Sequence, residues 1–154
     1  MSVLIILVSY HHQNTEKIAK AIANSLGADI KKPEEITPDS LASYDLIGFG
    51  SGIYFEKFDK KLLELADKLP RQTTKKAFIF SKTDRTGNES KFHKDVKGKL
   101  ESKGFNIVGE FNCAGFDTYT VLKLAGGINK GRPNGDDLKS AETFAQRLKS
   151  QMTK

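Results

Sequence analysis

The run VLIILVSYHHQNTEKIAKAIAN, from Val3 to Asn24, decides how the rest of the chain is read. It opens with Val3-Leu4-Ile5-Ile6-Leu7-Val8, an unbroken aliphatic stretch rich in β-branched side chains. A strand with one face in water alternates apolar and polar residues. An unbroken run is the pattern of a strand buried on both faces, as in a parallel sheet. The period then changes: Ile18, Ala19, Ile22, Ala23 and Leu26 recur at three- and four-residue spacing, the stripe of an amphipathic helix. Between them lies Ser9-Tyr10-His11-His12-Gln13-Asn14-Thr15, which has no aliphatic side chain. A polar loop feeding a helix offers free backbone N–H groups, hydroxyls and the positive end of the helix dipole, and so suits a phosphate-sized anion. Neither a GxGxxG fingerprint nor a P-loop Gly-Lys-Ser/Thr is present. The expected anion is therefore one phosphate held by hydroxyls and backbone, not a pyrophosphate.

The totals bound what surrounds this stretch. At 154 residues the chain is one domain in size, residues 1–154, and its 38% hydrophobic and 29% charged content is that of an ordinary globular protein. No apolar run approaches the roughly 20 residues of a membrane span, and the first strand lacks the basic start and cleavage site of a signal peptide. No membrane insertion is expected. A single cysteine, Cys113, excludes an internal disulfide and a multi-cysteine metal site, which makes a reducing, cytoplasmic setting the expectation. Cys113 itself reads as a small buried residue. The net charge of +6 is carried by scattered lysines and arginines, with pairs at Lys31-Lys32, Lys60-Lys61 and Lys75-Lys76. Solvated helix faces explain that pattern, and no nucleic-acid partner is expected.

Further along, strand and helix patterns alternate without linker or repeat. Gly27 stops the first helix, Ala28-Asp29-Ile30 reads as a short edge strand, and Pro33 and Pro38 bracket a polar connection. Asp45 to Gly50 is the next buried strand, Ser51 to Phe55 a loop, and Phe58, Leu62, Leu65, Ala66 and Leu69 mark a helix closed by Pro70. Lys76 to Phe80 is a third core strand and Ser81 to Asn88 a polar loop. A helix from about Glu89 to Lys103 ends at Gly104, and Phe105 to Asn112 is the last strand. Cys113 to Asn134 is irregular and glycine-containing, with room for one helical turn at Tyr119 to Leu124. A closing helix then spans Gly135 to Met152, where Asp136 and Asp137 complement its dipole. Alternation of this kind makes a parallel sheet covered by helices on both faces.

The first strand, the polar loop ending in Asn14-Thr15-Glu16 and the following helix resemble the start of a flavodoxin, and the alternation extends the resemblance over the full chain. In that family the loop commonly reads Ser/Thr-x-Thr-Gly-Asn-Thr and wraps the phosphate of FMN. This chain keeps Asn14 and Thr15 but carries Tyr10, His11, His12 and Gln13 where hydroxyl residues and a glycine are usual. The resemblance implies an α/β three-layer sandwich with a five-stranded parallel sheet of order 2-1-3-4-5. Its ligand lies outside the carboxyl ends of the strands, at the switch between strands 1 and 3; flavodoxin is itself the standard example of that rule.

On this resemblance four segments surround FMN. Ser9, His11, His12, Gln13, Asn14 and Thr15 hold the phosphate, with His11 or His12 as an added donor. Ser51, Gly52, Ile53 and Tyr54 meet the isoalloxazine ring, where Gly50 and Gly52 let the backbone approach, Tyr54 stacks and Phe55 packs on the core. Ser81, Lys82, Thr83, Asp84 and Arg85 cover the pyrimidine edge, where Lys82 or Arg85 stabilises a negatively charged reduced flavin. Gly115, Phe116 and Asp117 lie over the flavin. No Ser-His-Asp order, metal box or carboxylate pair stands out, so the cofactor performs any redox chemistry and no catalytic side chain or metal ligand is expected. The expected function is FMN-dependent electron transfer with a redox partner protein, a reductase or an iron–sulfur protein. Two alternatives stay open: an FMN-dependent reductase or oxidase acting on a quinone or other planar acceptor, and a flavodoxin-fold protein that no longer binds FMN.

Overall fold

Six consecutive buried side chains can be housed only by a central strand, and Val3–Val8 (β1) occupies that position. The computed structural model describes residues 1–8, 14–54, 57–83, 92–114 and 135–152. Asn14–Leu26 forms α1, Asp29–Lys31 β2, and Pro33–Glu35 a single 3-10 turn. Leu46–Tyr54 is β3, Lys57–Phe58 β4, Lys60–Lys68 α2 and Lys75–Thr83 β5. Lys94–Ser102 (α3), Phe105–Ala114 (β6) and Gly135–Met152 (α4) complete the described elements. The sheet runs β2-β1-β3-β5-β6 with every pair parallel, which is the expected order 2-1-3-4-5 when only parallel strands are counted. The two-residue β4 pairs antiparallel with the end of β3 and was not foreseen.

Because successive side chains of a strand point to opposite faces, β1 feeds two cores at once. Val3, Ile5 and Leu7 join Ile18 and Ile22 of α1 and Ala141, Phe144 and Leu148 of α4. Leu4, Ile6 and Val8 join Leu62 and Ala66 of α2 and Val96 and Leu100 of α3. These are the three layers. Cutting Ile5 to alanine removes a fully buried side chain and costs about 2–5 kcal/mol. No helix among the described residues is long and apolar enough to cross a membrane.

Several boundaries differ from the sequence reading. Ser51–Tyr54 and Ser81–Thr83 were expected in loops but extend β3 and β5, because each finds a ladder partner: Gly52 pairs with Lys82, and Lys82 with Cys113. Phe58 belongs to β4, and Asp59 caps α2 by accepting the Lys61 N–H at 2.8 Å. The described part of the helix expected from Glu89 is α3, beginning at Lys94. Gly50 has a packing reason of its own. A Cβ there would overlap the Phe80 ring, and one at Gly48 would overlap Phe78, so both glycines make room for aromatic rings on the α1/α4 face. Cys113 is buried, as expected. The segment around Tyr119 to Leu124 lies outside the described residues.

At the amino ends of the strands, polar groups meet one another near the surface. Lys75 Nζ donates to the carbonyls of Leu41 at 3.1 Å and Tyr44 at 2.6 Å. The Tyr44 hydroxyl donates to Asp29 at 2.8 Å, and the Ser2 N–H to Asp45 at 2.9 Å. Gly104, with φ of 93°, turns the chain from α3 into β6 against the backbone of Gln72.

Candidate functional site

At the carboxyl ends of the strands, backbone pairing sets Val8 beside Ser51, Ser51 beside Ser81, and Ser81 beside Asn112. All four are buried, on the face covered by α2 and α3. Three of them are polar, and a buried polar group is costly unless it is hydrogen-bonded. Ser51 meets this demand locally: its hydroxyl donates to the Gly52 carbonyl at 2.6 Å and accepts the Asp59 N–H at 3.0 Å. That pair of bonds fastens the end of β3 to the start of α2.

Ser81 belongs to a longer chain of contacts. Its oxygen lies 2.7 Å from His93 Nε2 and accepts from Asn112 Nδ2 at 2.7 Å. On the other side of the imidazole, Nδ1 lies 3.0 Å from Glu110 Oε1, and Lys97 Nζ donates to Glu110 Oε2 at 3.2 Å. A carboxylate can only accept, so Nδ1 carries the proton; in a neutral ring Nε2 then accepts the Ser81 O–H. His93 is fully buried, with the Phe58 ring edge-on at 5.2 Å. One acceptor is left over: Asn112 Oδ1 is buried and has no hydrogen-bond partner among the described residues.

A bulge makes this arrangement possible. Ala77 pairs with Ile107 but Phe78 pairs with Gly109, so β6 spends one extra residue, Val108, between them. Strict alternation from Ile107 would turn Glu110 toward α4. The extra residue returns it to the α3 face, opposite Ile79 and within reach of His93.

The order hydroxyl, imidazole, carboxylate is that of a nucleophilic relay. The Ser81 side chain is fully buried, however, so no substrate reaches it in this arrangement. His93, Glu110 and Asn112 escaped the sequence reading because the contacts of His93 come from β5 and β6, 12 and 17 residues away.

Of the residues expected to bind the cofactor, the structure brings Ser51, Gly52, Ile53, Ser81, Lys82 and the start of α1 to the same end of the sheet. Ser51 and Ser81 turn their hydroxyls inward, and Thr15 is buried in the first turn of α1. Ser9, His11, His12, Gln13, Asp84, Arg85, Gly115, Phe116 and Asp117 lie outside the described residues, as do the side chains of Asn14, Tyr54 and Thr83. An open cleft on the β2 side of β1 is lined by Val8, Glu16, Lys31, Lys32, Glu34 and Lys61 among others. Its charges already answer one another: Glu34 is held below the usual carboxylate range by a backbone hydrogen bond and by Lys61, 3.3 Å away. The strand order reverses between β1 and β3, and α1 starts at that end of the sheet.

Comparison with known proteins agrees with that topology. The family model of the flavodoxin domain matches residues 5–122. The chain belongs to the flavodoxin family. An uncharacterized protein of Methanocaldococcus jannaschii is 52% identical over 148 residues, covering 96% of this flavodoxin and 98% of the relative. Among solved structures, oxidised flavodoxin 2 from Bacillus cereus superposes with a TM-score of 0.72 at 19% identity, covering 98% of this chain and 99% of that one. Rubredoxin oxygen:oxidoreductase from Desulfovibrio gigas matches with a TM-score of 0.62 at 16% identity; 99% of this chain covers 37% of that larger one. At such identities the two structures establish the shared fold alone.

Proposed function

We propose that this flavodoxin binds FMN at the carboxyl ends of β1, β3 and β5 and carries electrons between partner proteins in the cytoplasm. The observation that carries the reading is the position of α1, whose N-terminus opens just beyond β1 where the strand order reverses. The free N–H groups and positive dipole end of a helix start fit one phosphate, and the polar residues Ser9 to Thr15 add donors without the glycines a pyrophosphate needs. Asn14, Thr15 and the loop before them hold that phosphate. The ends of β3 and β5 flank the ring.

FMN, when bound, supplies the one- and two-electron chemistry. The protein's part is to hold the ring edge, exclude water and fix the flanking segments.

The experiment is to purify the protein, record its visible spectrum, release any flavin by denaturation and identify it by chromatography. FMN is the expected product. Recovery of FAD, or apoprotein that takes up no FMN at micromolar concentration, overturns the reading. Oxidation of NADH or NADPH with quinones at about 1–1000 turnovers per second would replace the carrier with a reductase.

A further inference from the structure

We infer that Ser51 is a positioning residue for the flavin ring: its buried hydroxyl fixes the base of the hairpin that β3 and β4 form at the carboxyl end of the sheet. This role rests on the FMN reading above, which sets the end of β3 beside the ring. Ser51 stands where β3 leaves the sheet. Among the described residues, Val8–Ser51 is the last pair that β3 makes with β1, and Gly52–Lys82 the last with β5. Ile53 and Tyr54 pair instead with Phe58 and Lys57 of β4. Asp59 follows β4 directly and opens α2: its side chain accepts the Lys61 N–H, and its carbonyl accepts from Leu62 and Leu63. The N–H of Asp59 itself donates to Ser51 Oγ at 3.0 Å, across eight residues of sequence. The same hydroxyl donates to the Gly52 carbonyl at 2.6 Å. One side chain thus holds both strands of the hairpin at their roots.

Core packing alone does not call for serine here. Val8, its neighbour in β1, fills the equivalent place with an aliphatic side chain. Such a side chain at position 51 would leave the half-buried Asp59 N–H without its acceptor. Packing holds the rest of the hairpin: Ile53 and Phe58 lean on the same core as Leu62, and the Phe58 ring meets His93 edge-on at 5.2 Å. The Ser51 hydroxyl is turned inward and committed to two backbone groups, so it acts on a ligand through the hairpin and not by touching it. A wall fixed before the ligand arrives has fewer conformations to lose on binding, and that saving appears as affinity. The hairpin stands on the ring side, whereas the phosphate is assigned to α1 and the loop before it. Riboflavin, which has the ring but no phosphate, therefore senses loss of the hydroxyl as strongly as FMN does.

The test compares Ser51→Ala and Asp59→Ala with the unaltered protein. Ser51→Ala removes the acceptor. Asp59→Ala removes the side-chain cap of α2 but keeps its backbone N–H on Ser51, and so controls for lost stability alone. Backbone hydrogen exchange is measured on apoprotein, and dissociation constants are measured for FMN and riboflavin. In Ser51→Ala, exchange across β4 and Asp59 is expected to accelerate roughly three- to tenfold more than in β1, the scale of one net hydrogen bond. FMN and riboflavin should weaken by a common factor of similar size. Asp59→Ala should lower the urea midpoint and leave both affinities unchanged. Exchange that rises no more across β4 and Asp59 than in β1 overturns the fastening. Local acceleration with unchanged riboflavin affinity overturns the role toward the ring, and so does an equal loss of riboflavin affinity in Asp59→Ala. If the unaltered protein takes up no flavin, the FMN reading fails and the ring-positioning role falls with it, while exchange alone still decides whether Ser51 fastens the hairpin.

Discussion

At the amino ends of the strands, Lys75 reaches two carbonyls, Tyr44 meets Asp29, and Asp45 accepts from Ser2. These groups lie near water, and each bond joins residues that water would otherwise satisfy. At the carboxyl ends, Ser51, Ser81, His93 and Asn112 are buried, and one acceptor of Asn112 goes unmatched among the described residues. Net hydrogen-bond energies are small where water competes, while an unsatisfied buried group costs about 1–3 kcal/mol. The amino end is therefore built to close the fold. The carboxyl end buries polar groups that depend on one another for their hydrogen bonds.

The comparison breaks if changes at the amino end alter flavin binding. The largest effect is expected for Gly104→Ala. It demands a left-handed backbone of a residue with a Cβ, and that Cβ overlaps the Gln72 carbonyl. A loss of about 3 kcal/mol or more should appear in urea denaturation, with the flavin affinity of the folded protein unchanged. Next comes Lys75→Met, which strips a charged donor from the carbonyls of Leu41 and Tyr44. Roughly 1–2 kcal/mol should be lost, below the full worth of charged hydrogen bonds because the site is partly solvated. Flavin affinity should again stay put.

The smallest effect is a pH dependence. A hydrogen bond from the Ser2 N–H holds the Asp45 carboxyl below the usual carboxylate range. A depressed folded-state value contributes stability above the unfolded value, about 3.9, and loses it as pH falls through the folded one. Asp45→Asn should therefore lower stability slightly near neutrality and flatten the acid limb of the stability curve below about pH 4, where the two proteins converge. A variant that shifts FMN affinity at pH 7 would show that the two ends are coupled after all.

Much of this division was legible in the sequence. The unbroken run of β1 and the change of period into α1 are local signals, and they placed the central strand and the first helix. The reading failed where the cause was a residue distant in sequence. Ser51 and Gly52 look like turn formers, but β3 continues through them because β5 supplies ladder partners. Gly50 looks like a hinge for a ligand, yet what fills its missing side chain is Phe80. His93 gave no signal of its own, because Ser81 and Glu110 reach it from two different strands. Periodicity reports which face a residue occupies; it does not report which neighbour crosses the sheet to meet it.

The extra residue at Val108 works as a frameshift in three dimensions. Every side chain after it keeps its place in the chain but changes the side of the sheet on which it is read. Drop that residue, and Glu110 and Asn112 would be spelled out toward α4 while Phe111 faced α3; the strand upstream of it would be untouched. Because β6 has β5 as its one ladder partner among the described strands, the shift disturbs a single seam. A lineage could thus rewrite the polar lettering at the carboxyl end of the strand by one insertion or deletion, without editing a word of the apolar text beneath it.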